Sequence, residues 1–499
     1  MPSLFRNASW GGLSASIRLL FGMGNLFLAI KLVGATLYGY LIVMASMTAF
    51  YVALLNSIHV IVITNAVELR SHPDSVNELR KLFSAVWLVT FLGVFFLVLA
   101  VFFLGNPFLH AFVYSGGNTL VESNLSLLLV PVALIAVSQI VAAGHMAVIE
   151  SLGRFDLAAK AQLLGTPIVF VLLLWLGFFS TYQLNIVAVG WLLLAGAVID
   201  LIFIVYVRLA LGFPSSFKPT VETFKWLPKL LGQGVSLQGA KLVNVFFDPL
   251  NKFLLNHYVG PVSVSTYEVA MKVIRGIQMI FGGAFRTFLQ LAEKLKSDGG
   301  SDYIKAIRYG FVPAILMYAL GCVLMVAISR YWVKGEMEDL SIFYLMLIPP
   351  GVGIIFAGPL YSALVGIRDL GFIFRMHLNL AILNLLASLT LIPLFGLYGA
   401  GVGLFITTAY NALAEYRRYI RMIGPIVGLA DEIKRRSVVI IFSLALSALV
   451  VLADQFLMST KGLLIVEGIS VVILISMLTL EPLTLRVARH AIGKLSNRA

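Results

Sequence analysis

Long apolar runs, separated by short polar or Gly/Pro-rich turns, follow one another along nearly the whole chain. Each run has about the 20 residues that an α-helix needs to cross the hydrocarbon core of a bilayer. The pattern predicts an all-α integral membrane protein with about 14 transmembrane helices. The predicted spans are 12–32, 39–66, 83–105, 123–147, 158–179, 185–207, 231–256, 264–290, 309–330, 341–366, 375–393, 399–416, 438–457 and 462–485.

Composition supports the membrane class and excludes several kinds of chemistry. Hydrophobic residues make up 60% of the chain and charged residues only 12%. The single cysteine, Cys322, rules out an internal disulfide framework, and the seven histidines lack the spacing of a metal site. We therefore expect neither a metal nor a cofactor. The N-terminal segment has no small-residue cleavage site before its apolar run, so we expect the first helix to be retained.

The distribution of basic residues predicts the orientation of the chain. With the N-terminus in the cytoplasm, most of the 36 Lys and Arg residues fall on the cytoplasmic side and very few fall outside. This excess follows the positive-inside rule and places both termini in the cytoplasm. The net charge of +13 then reflects a basic face beside anionic lipid headgroups, and nucleic acid is not an expected partner.

Two stretches of the chain resemble each other at a constant offset. "SLGRFDLAAKAQLLG" (151–165) aligns with "LVGIRDLGFIFRMHLN" (364–379), and "LNIVAVGWLL" (184–193) aligns with "LYGAGVGLFI" (397–406) at the same spacing. Six helices followed by six of the same direction predict two parallel repeats that form two lobes around a central cavity. The predicted parts are an N-terminal lobe at 1–208, a cytoplasmic amphipathic linker at 209–230, a C-terminal lobe at 231–420, and two extra helices with a basic tail at 421–499.

Charged residues fall on single faces of the predicted helices in 231–256 and 264–290. At about 100° per residue, the charges of the second helix form a stripe about 60° wide. Lipid does not border such a face, so we expect it to face protein or a water-filled cavity. A similar polar side occurs early in the first helix. The candidate cavity residues are Arg18, Asn25, Lys241, Asp248, Lys252, Glu268, Lys272, Arg275 and Arg286.

Two plainer explanations compete with a cavity. Lys31 and Arg330 are most simply explained as side chains at helix ends that reach the interface, and Arg18 and Arg286 are open to the same explanation. Local pairing is the second alternative, because Asp248 with Lys252 and Glu268 with Lys272 are i,i+4 partners. Pairing does not balance the charge, since these two helices carry five cations and two anions. An excess of positive charge favours an anionic ligand.

Several short motifs resemble those of a known transporter family. The Gly-rich turn after the first helix, the loops "GRFDL" and "GIRDLG", and "PLFGLYGAGVG" (393–403) look like the polysaccharide flippases of the MOP exporter superfamily. The resemblance covers nearly the whole chain. It implies two six-helix lobes that work by alternating access with a cationic central cavity. The last two helices depart from the common 12-helix flippase and resemble the 14-helix lipid II flippases.

The resemblance implies a function for the cationic cavity. Such proteins move undecaprenyl-diphosphate-linked oligosaccharide repeat units from the cytoplasmic to the outer leaflet, as for O-antigen or capsule, in the cell (inner) membrane. Lys and Arg suit a diphosphate or acidic sugar, and the membrane potential assists an anion that moves outward. Coupling to H⁺ or Na⁺ is permitted without being required, with Asp248 and Glu268 as candidates. Expected partners are the lipid-linked oligosaccharide, membrane lipids and the polysaccharide polymerase and export machinery.

Two other classes of function stay open on the sequence alone. A small-molecule or drug exporter of the same fold would favour cationic substrates and buried carboxylates, against the positive excess counted above. A membrane-embedded glycan polymerase or ligase would need catalytic groups on an outer loop. The longest predicted outer loop, about 106–122, offers only His110 and Glu122. The sequence therefore favours a transporter over an enzyme.

Overall fold

The computed structural model describes most of the predicted helical segments. It covers residues 4–46, 48, 62, 65–66, 75–112, 119–152, 154–179, 185–212, 223–226, 228, 248–285, 303–304, 310–333, 335–367, 369–456, 463 and 466–474. Within these ranges the regular elements are helices, and no strand occurs. The prediction of an all-α membrane protein is confirmed.

Fourteen described helices are numbered here in chain order. A short π-helix, Ile328–Trp332, continues the tenth. The helices are α1 Leu4–Val33, α2 Ala35–Ser46, α3 Ser75–Phe112, α4 Thr119–Ser151, α5 Phe155–Ala161, α6 Gly165–Phe179, α7 Ile186–Ala210, α8 248–258, α9 Pro261–Phe285, α10 Val312–Ala327, α11 Leu340–Gly366, α12 Leu370–Met422, α13 Leu429–Phe456 and α14 466–474.

Many of these helices have the length and composition of membrane spans. Among the described residues, nine helical segments are long and apolar enough to cross a membrane. Helix α9 has 25 residues, about 37 Å, which is also long enough to cross. It is set apart by three charged side chains within an otherwise uncharged and mostly apolar sequence. The predicted spans 39–66, 231–256, 264–290 and 462–485 extend beyond the described residues.

One predicted span is interrupted in the structure. The sequence predicts a single helix over 158–179, whereas α5 ends at Ala161 and α6 begins at Gly165. The residues between them, 162–164, form a turn. The apolar pattern continues across this turn, so periodicity alone does not reveal the break. Polar side chains from α1 and α7 bind the backbone around it, as described below.

The turn predicted between spans 375–393 and 399–416 is confirmed within α12. Gly396 has φ +58° and ψ −131°, a conformation that glycine adopts far more readily than other residues. A Cβ atom at Gly399 would overlap the main-chain carbonyl of Leu391, so the chain also folds closely back on itself here. We refer to residues 370–395 and 397–422 as the first and second arms of α12.

The chain divides into two compact units. Unit 1 comprises Met1–Ser265 and Gly371–Ala400, and unit 2 comprises Thr266–Leu370 and Gly401–Ala499. The predicted lobes at 1–208 and 231–420 stay a prediction.

Unit 1 is held together by close helix packing. α4 packs against α3 and α7, α1 packs against α5 and α6, and α6 packs against α7. At the last of these contacts, a Cβ atom on Gly165 would overlap the carbonyl oxygen of Gly196. Small residues let the two backbones approach, which is how membrane helices gain packing without a hydrophobic driving force between them.

Unit 2 is built around α10. Within the segment Val312–Trp332, which includes the π-helical end, 78% of an 18-residue apolar window is buried. Helix α10 packs against α11 and α13. The hydroxyl of Tyr344 on α11 occupies the space beside Gly321 on α10, and the ring of Tyr318 lies beside Gly351. Helix α13, which is outside the predicted repeat, is therefore an integral part of this unit's core.

Candidate functional site

The charged stripe predicted in the span 264–290 lies on α9 of the structure. Glu268, Lys272 and Arg275 follow at intervals of four and three residues and are all half-buried. We call these three residues the α9 stripe. The opposite side of the helix is apolar and buried, including Val273 and Ile277. The helix therefore buries one side and presents two cations and one carboxylate on the other.

Aromatic packing anchors α9 next to the stripe. The side chain of Tyr267 is 1% exposed, and its ring centroid lies 6.0 Å from that of Phe343 on α11. Because Tyr267 directly precedes Glu268, this contact holds the start of the stripe in a defined position within unit 2. Two further candidates from the sequence, Lys241 and Arg286, lie outside the described residues.

Asp248 and Lys252 form an ion pair on α8. The Lys252 Nζ lies 2.7 Å from the Asp248 Oδ2, and the Lys252 side chain is only 7% exposed. The i,i+4 pairing considered as an alternative from the sequence is thus realised for these two residues. Lys252 belongs to unit 1, and its charge is balanced within its own helix. Its place in a central cavity stays a prediction.

A buried polar network extends from α8 to the first arm of α12, inside unit 1. The Oγ atom of Ser388 lies 2.6 Å from the Oδ1 of Asn251 and 3.2 Å from the Oδ1 of Asn384. All three side chains are at most 2% exposed. Asn384 and Ser388 were not identified from the sequence, although their i,i+4 spacing in an apolar helix was an available signal.

Arg18 and Asn25 both contact the broken segment between α5 and α6. The Arg18 Nη1 donates to the Gln162 Oε1 at 2.6 Å, and the Asn25 Nδ2 donates to the Thr166 carbonyl at 3.0 Å. Arg18 is exposed, whereas Asn25 is 7% exposed. The structure therefore brings these two candidates together at one break in unit 1.

Asp200 completes the polar surroundings of this break. Its Oδ1 accepts a hydrogen bond from the Gly165 amide at 2.8 Å, at the beginning of α6. A carboxylate is favourable there because free amides and the helix dipole make a helix N-terminus electropositive. Ser14 adds a bond to the Ala159 carbonyl at 3.0 Å. Sequence reasoning missed Asp200 because its partner lies 35 residues away along the chain.

An ion pair ties α13 to the end of α10. The Arg330 guanidinium, in the π-helix, bonds to both the carboxylate and the main-chain carbonyl of Asp454, and the Ser341 Oγ donates to the Asp454 Oδ2 at 3.0 Å. The sequence suggested that Arg330 reaches toward the interface. The structure shows this guanidinium bound to Asp454 within unit 2, and its position relative to the membrane interface stays a prediction.

Unit 2 also contains an apolar cavity of about 360 Å³. Helices α10, α11, α13 and the second arm of α12 line it, with Thr408 as a rare polar neighbour. The main lining side chains are Phe311, Pro350, Phe356, Phe405, Ile440 and Leu444. The cavity lacks charged groups, so it is unsuited to an anionic head group.

Comparison with known proteins shows similarity at the level of fold. No family model and no curated protein matches the sequence. The chain is similar to the lipid II flippase MurJ in an inward closed conformation, with a TM-score of 0.65, 14% identity, and coverage of 94% of this chain and 98% of that chain.

Two MATE transporter structures are also similar. An inward-facing multidrug resistance MATE family transporter of the MOP superfamily gives a TM-score of 0.66 at 14% identity, covering 82% of this chain and 98% of that chain. The Vibrio cholerae MATE transporter VcmN gives a TM-score of 0.57 at 11% identity, with coverage of 83% of this chain and 96% of that chain. The protein therefore has the fold of the MOP superfamily transporters.

Proposed function

We propose that this protein is a flippase that moves undecaprenyl-diphosphate-linked oligosaccharide repeat units from the cytoplasmic to the outer leaflet of the cell membrane, with both termini in the cytoplasm. The observation that carries the proposal is the α9 stripe. Its two cations and one carboxylate are half-buried on a helix that is otherwise uncharged and mostly apolar. Charges at such positions are rare in membrane helices, face the protein interior or a water-filled cavity, and often mark a substrate pathway.

The extent of the structural similarity supports a flippase over a drug exporter. Coverage of this chain is 94% with the lipid II flippase and 82% with the multidrug MATE transporter. Both of those chains are covered almost completely, so the MATE transporter leaves more of this chain without a counterpart. The substrate named for that flippase, lipid II, is a lipid, as is the substrate proposed here.

The chemistry of the α9 stripe suits an anionic head group. Arg275 offers planar, paired donors that match two phosphate oxygens, whereas Lys272 supplies a compact charge. Glu268 would limit the net positive charge and accept hydrogen bonds from sugar hydroxyls. The lipid tail needs no transport site because it can stay in hydrocarbon throughout the movement of the head group.

Alternating access would carry the head group across the membrane. Outward movement of an anion is assisted by an inside-negative potential, by about 2.3 kcal/mol per charge per 100 mV. H⁺ or Na⁺ coupling through Glu268 stays open, whereas Asp248 is paired with Lys252 in this structure. The proposed partners are membrane lipids and the polymerase that consumes the exported repeat unit.

Flipping in reconstituted vesicles tests the proposal. We expect the protein to move a labelled lipid-linked oligosaccharide between leaflets, and the double variant Lys272→Ala, Arg275→Ala to lose most of this activity. Lys31→Ala is the matched control, because Lys31 is an exposed cation in the last turn of α1. Flipping that survives the double variant but fails with Lys31→Ala would contradict the proposal.

Export of small molecules is the second candidate function. Its support is the TM-score with the multidrug MATE transporter, 0.66, which is as high as that with the flippase. The two candidates differ in substrate charge. Efflux of a cationic dye from the same vesicles, without movement of the lipid-linked oligosaccharide, would favour the exporter.

A further inference from the structure

A buried carboxyl group lies on the second arm of α12, far along the chain from the α9 stripe. The Glu415 side chain is 1% exposed. Asn411, one helical turn earlier, hydrogen-bonds its carboxyl group, while the Oε2 atom has no hydrogen-bond partner among the described residues. Glu415 is therefore a titratable group that the proposed function does not use.

The surroundings of Glu415 are aromatic and uncharged. A cluster of buried side chains that includes Tyr303, Leu360 and Tyr419 occupies this part of unit 2, with Tyr416 packed against it. The Tyr303 ring centroid lies 5.9 Å from both the Phe356 ring and the Tyr419 ring.

The neighbouring tyrosines do not supply charge to Glu415. It lies near enough to Tyr303 and Tyr361 to interact electrostatically with both. The Tyr303 hydroxyl donates to the Phe356 carbonyl at 3.1 Å, so this donor is already used. Burial raises the pKa of Tyr303 well above its usual value, which keeps that hydroxyl neutral.

Arg418, on the next turn of α12, and Glu432, on α13, are held by other partners. Arg418 binds both carboxylate oxygens of Asp369, at 2.6 and 3.2 Å. Glu432, near the beginning of α13, is also buried but pairs with Arg436 at 3.3 Å. Within the described part of the chain, no lysine, arginine or histidine pairs with Glu415. An ionised carboxylate in such a place is strongly disfavoured, because burial removes its hydration and nothing replaces it.

We propose that Glu415 is a proton-binding site that holds a proton in this conformation and releases it when this end of unit 2 opens to water. The proton moves between the Glu415 carboxyl group and a water molecule, so the group alternates between a neutral acid and a carboxylate. The route to solvent is short. Glu415 precedes the exposed Arg421 and Met422 by about two helical turns, roughly 10 Å.

Such a site would couple the packing of unit 2 to proton uptake and release. The neutral acid fits between the tyrosines, whereas the carboxylate favours a state in which water reaches it. Proton binding itself does not depend on the substrate. Its use in driving transport rests on the proposed flippase function, so the two parts need separate measurements.

Infrared difference spectroscopy of the purified protein in lipid nanodiscs tests proton binding. We expect the carbonyl stretch of a protonated carboxylic acid at neutral pH, with its amplitude reduced in Glu415→Gln. Glu432→Gln is the matched control and should leave that signal unchanged, because its carboxylate is balanced by Arg436. Glu415→Asp should restore a shifted band. Identical spectra for wild type and Glu415→Gln at neutral pH would overturn the proposal.

Flipping under an imposed pH gradient tests coupling. The ratio of wild-type rates with and without the gradient should differ from one, and in Glu415→Gln this ratio should fall to one. A Glu415→Gln ratio equal to that of the wild type would overturn the coupling. If no lipid-linked oligosaccharide moves even in the wild type, while the infrared signal depends on Glu415, the proposed substrate fails and the proton site stands.

Discussion

The ammonium group of Lys252 lies 2.7 Å from the carboxylate of Asp248, one turn earlier on the same helix. The Lys252 side chain is 7% exposed and that of Asp248 24%. This pair separates two kinds of charge that look alike in the sequence. Lys252 is balanced within α8, whereas the α9 stripe has two cations and one carboxylate.

Lys252→Met should destabilise the protein because it leaves Asp248 partly buried without its cation. Removing one member of a buried pair costs about 3–5 kcal/mol. Because Asp248 is partly exposed to solvent, which weakens the pair, we expect the free energy of unfolding to fall by about 2 kcal/mol. Adding Asp248→Asn should recover most of the loss. Thermal unfolding in detergent measures both. Additive effects of the two substitutions would show that the pair is not energetically coupled.

The charge on Arg275 should matter more than its shape. Arg275→Lys should retain part of the flipping activity, Arg275→Gln should lose about tenfold or more, and Arg275→Glu should lose most. A hydrogen bond to a charged group is worth about 1.5–3 kcal/mol, which corresponds to this range.

An exchange variant distinguishes ligand binding from a simple pair with Glu268. Glu268→Arg combined with Arg275→Glu keeps the charges but moves the cation by about two turns, roughly 10 Å along the helix. If Arg275 contacts the head group, the exchange should stay inactive in the vesicle assay. Recovery of activity would assign Arg275 a role in pairing alone.

Asp454→Ala should weaken the attachment of α13 to α10. It removes the carboxylate that Arg330 and Ser341 both bind. Breaking a buried ion pair costs about 3–5 kcal/mol. Because the Arg330 side chain is 29% exposed, we expect the free energy of unfolding to fall by about 2–3 kcal/mol. Protection from hydrogen exchange should fall along α13. Arg421→Ala, at an exposed position, should leave that protection unchanged.

Gly396→Ala should destabilise the turn inside α12. A side chain at φ +58° and ψ −131° costs about 1–3 kcal/mol, because Cβ crowds the neighbouring backbone. Gly371→Ala is the control, since nothing lies within 4 Å of its added Cβ and its backbone is helical. Thermal unfolding should show a lower midpoint only for the first variant. Equal midpoints would mean that the turn tolerates a side chain.

Cysteine labelling should establish the orientation of the chain. On a background lacking Cys322, an impermeant reagent applied to cells should modify cysteines placed at Gly116 and Tyr182. Cysteines at Ser75 and Asp298 should react only after the cells are opened. The expectation follows from the excess of basic residues on one side of the predicted spans. The reverse labelling pattern would invert both the topology and the proposed direction of transport.

Some features of this protein follow from the sequence alone because they are local. Apolar runs of membrane-spanning length predict the helices, and the stripe of Glu268, Lys272 and Arg275 follows from 3.6 residues per turn. The turn at Gly396 is likewise predicted by Gly and Pro between two apolar runs. Each of these features depends on residues that lie close together in the chain. The geometry of a single helix or turn sets their relative positions.

Other features required the tertiary structure because their partners are distant in sequence. Arg18 and Gln162 are 144 residues apart, and Arg330 and Asp454 are 124 apart. Helical periodicity tells which face a side chain occupies, but not which helix packs there. The burial of Glu415 is decided in the same way, by aromatic side chains from separate segments. A polar residue in an apolar run becomes a paired ion, a helix cap or a protonated acid according to the neighbours that folding brings to it.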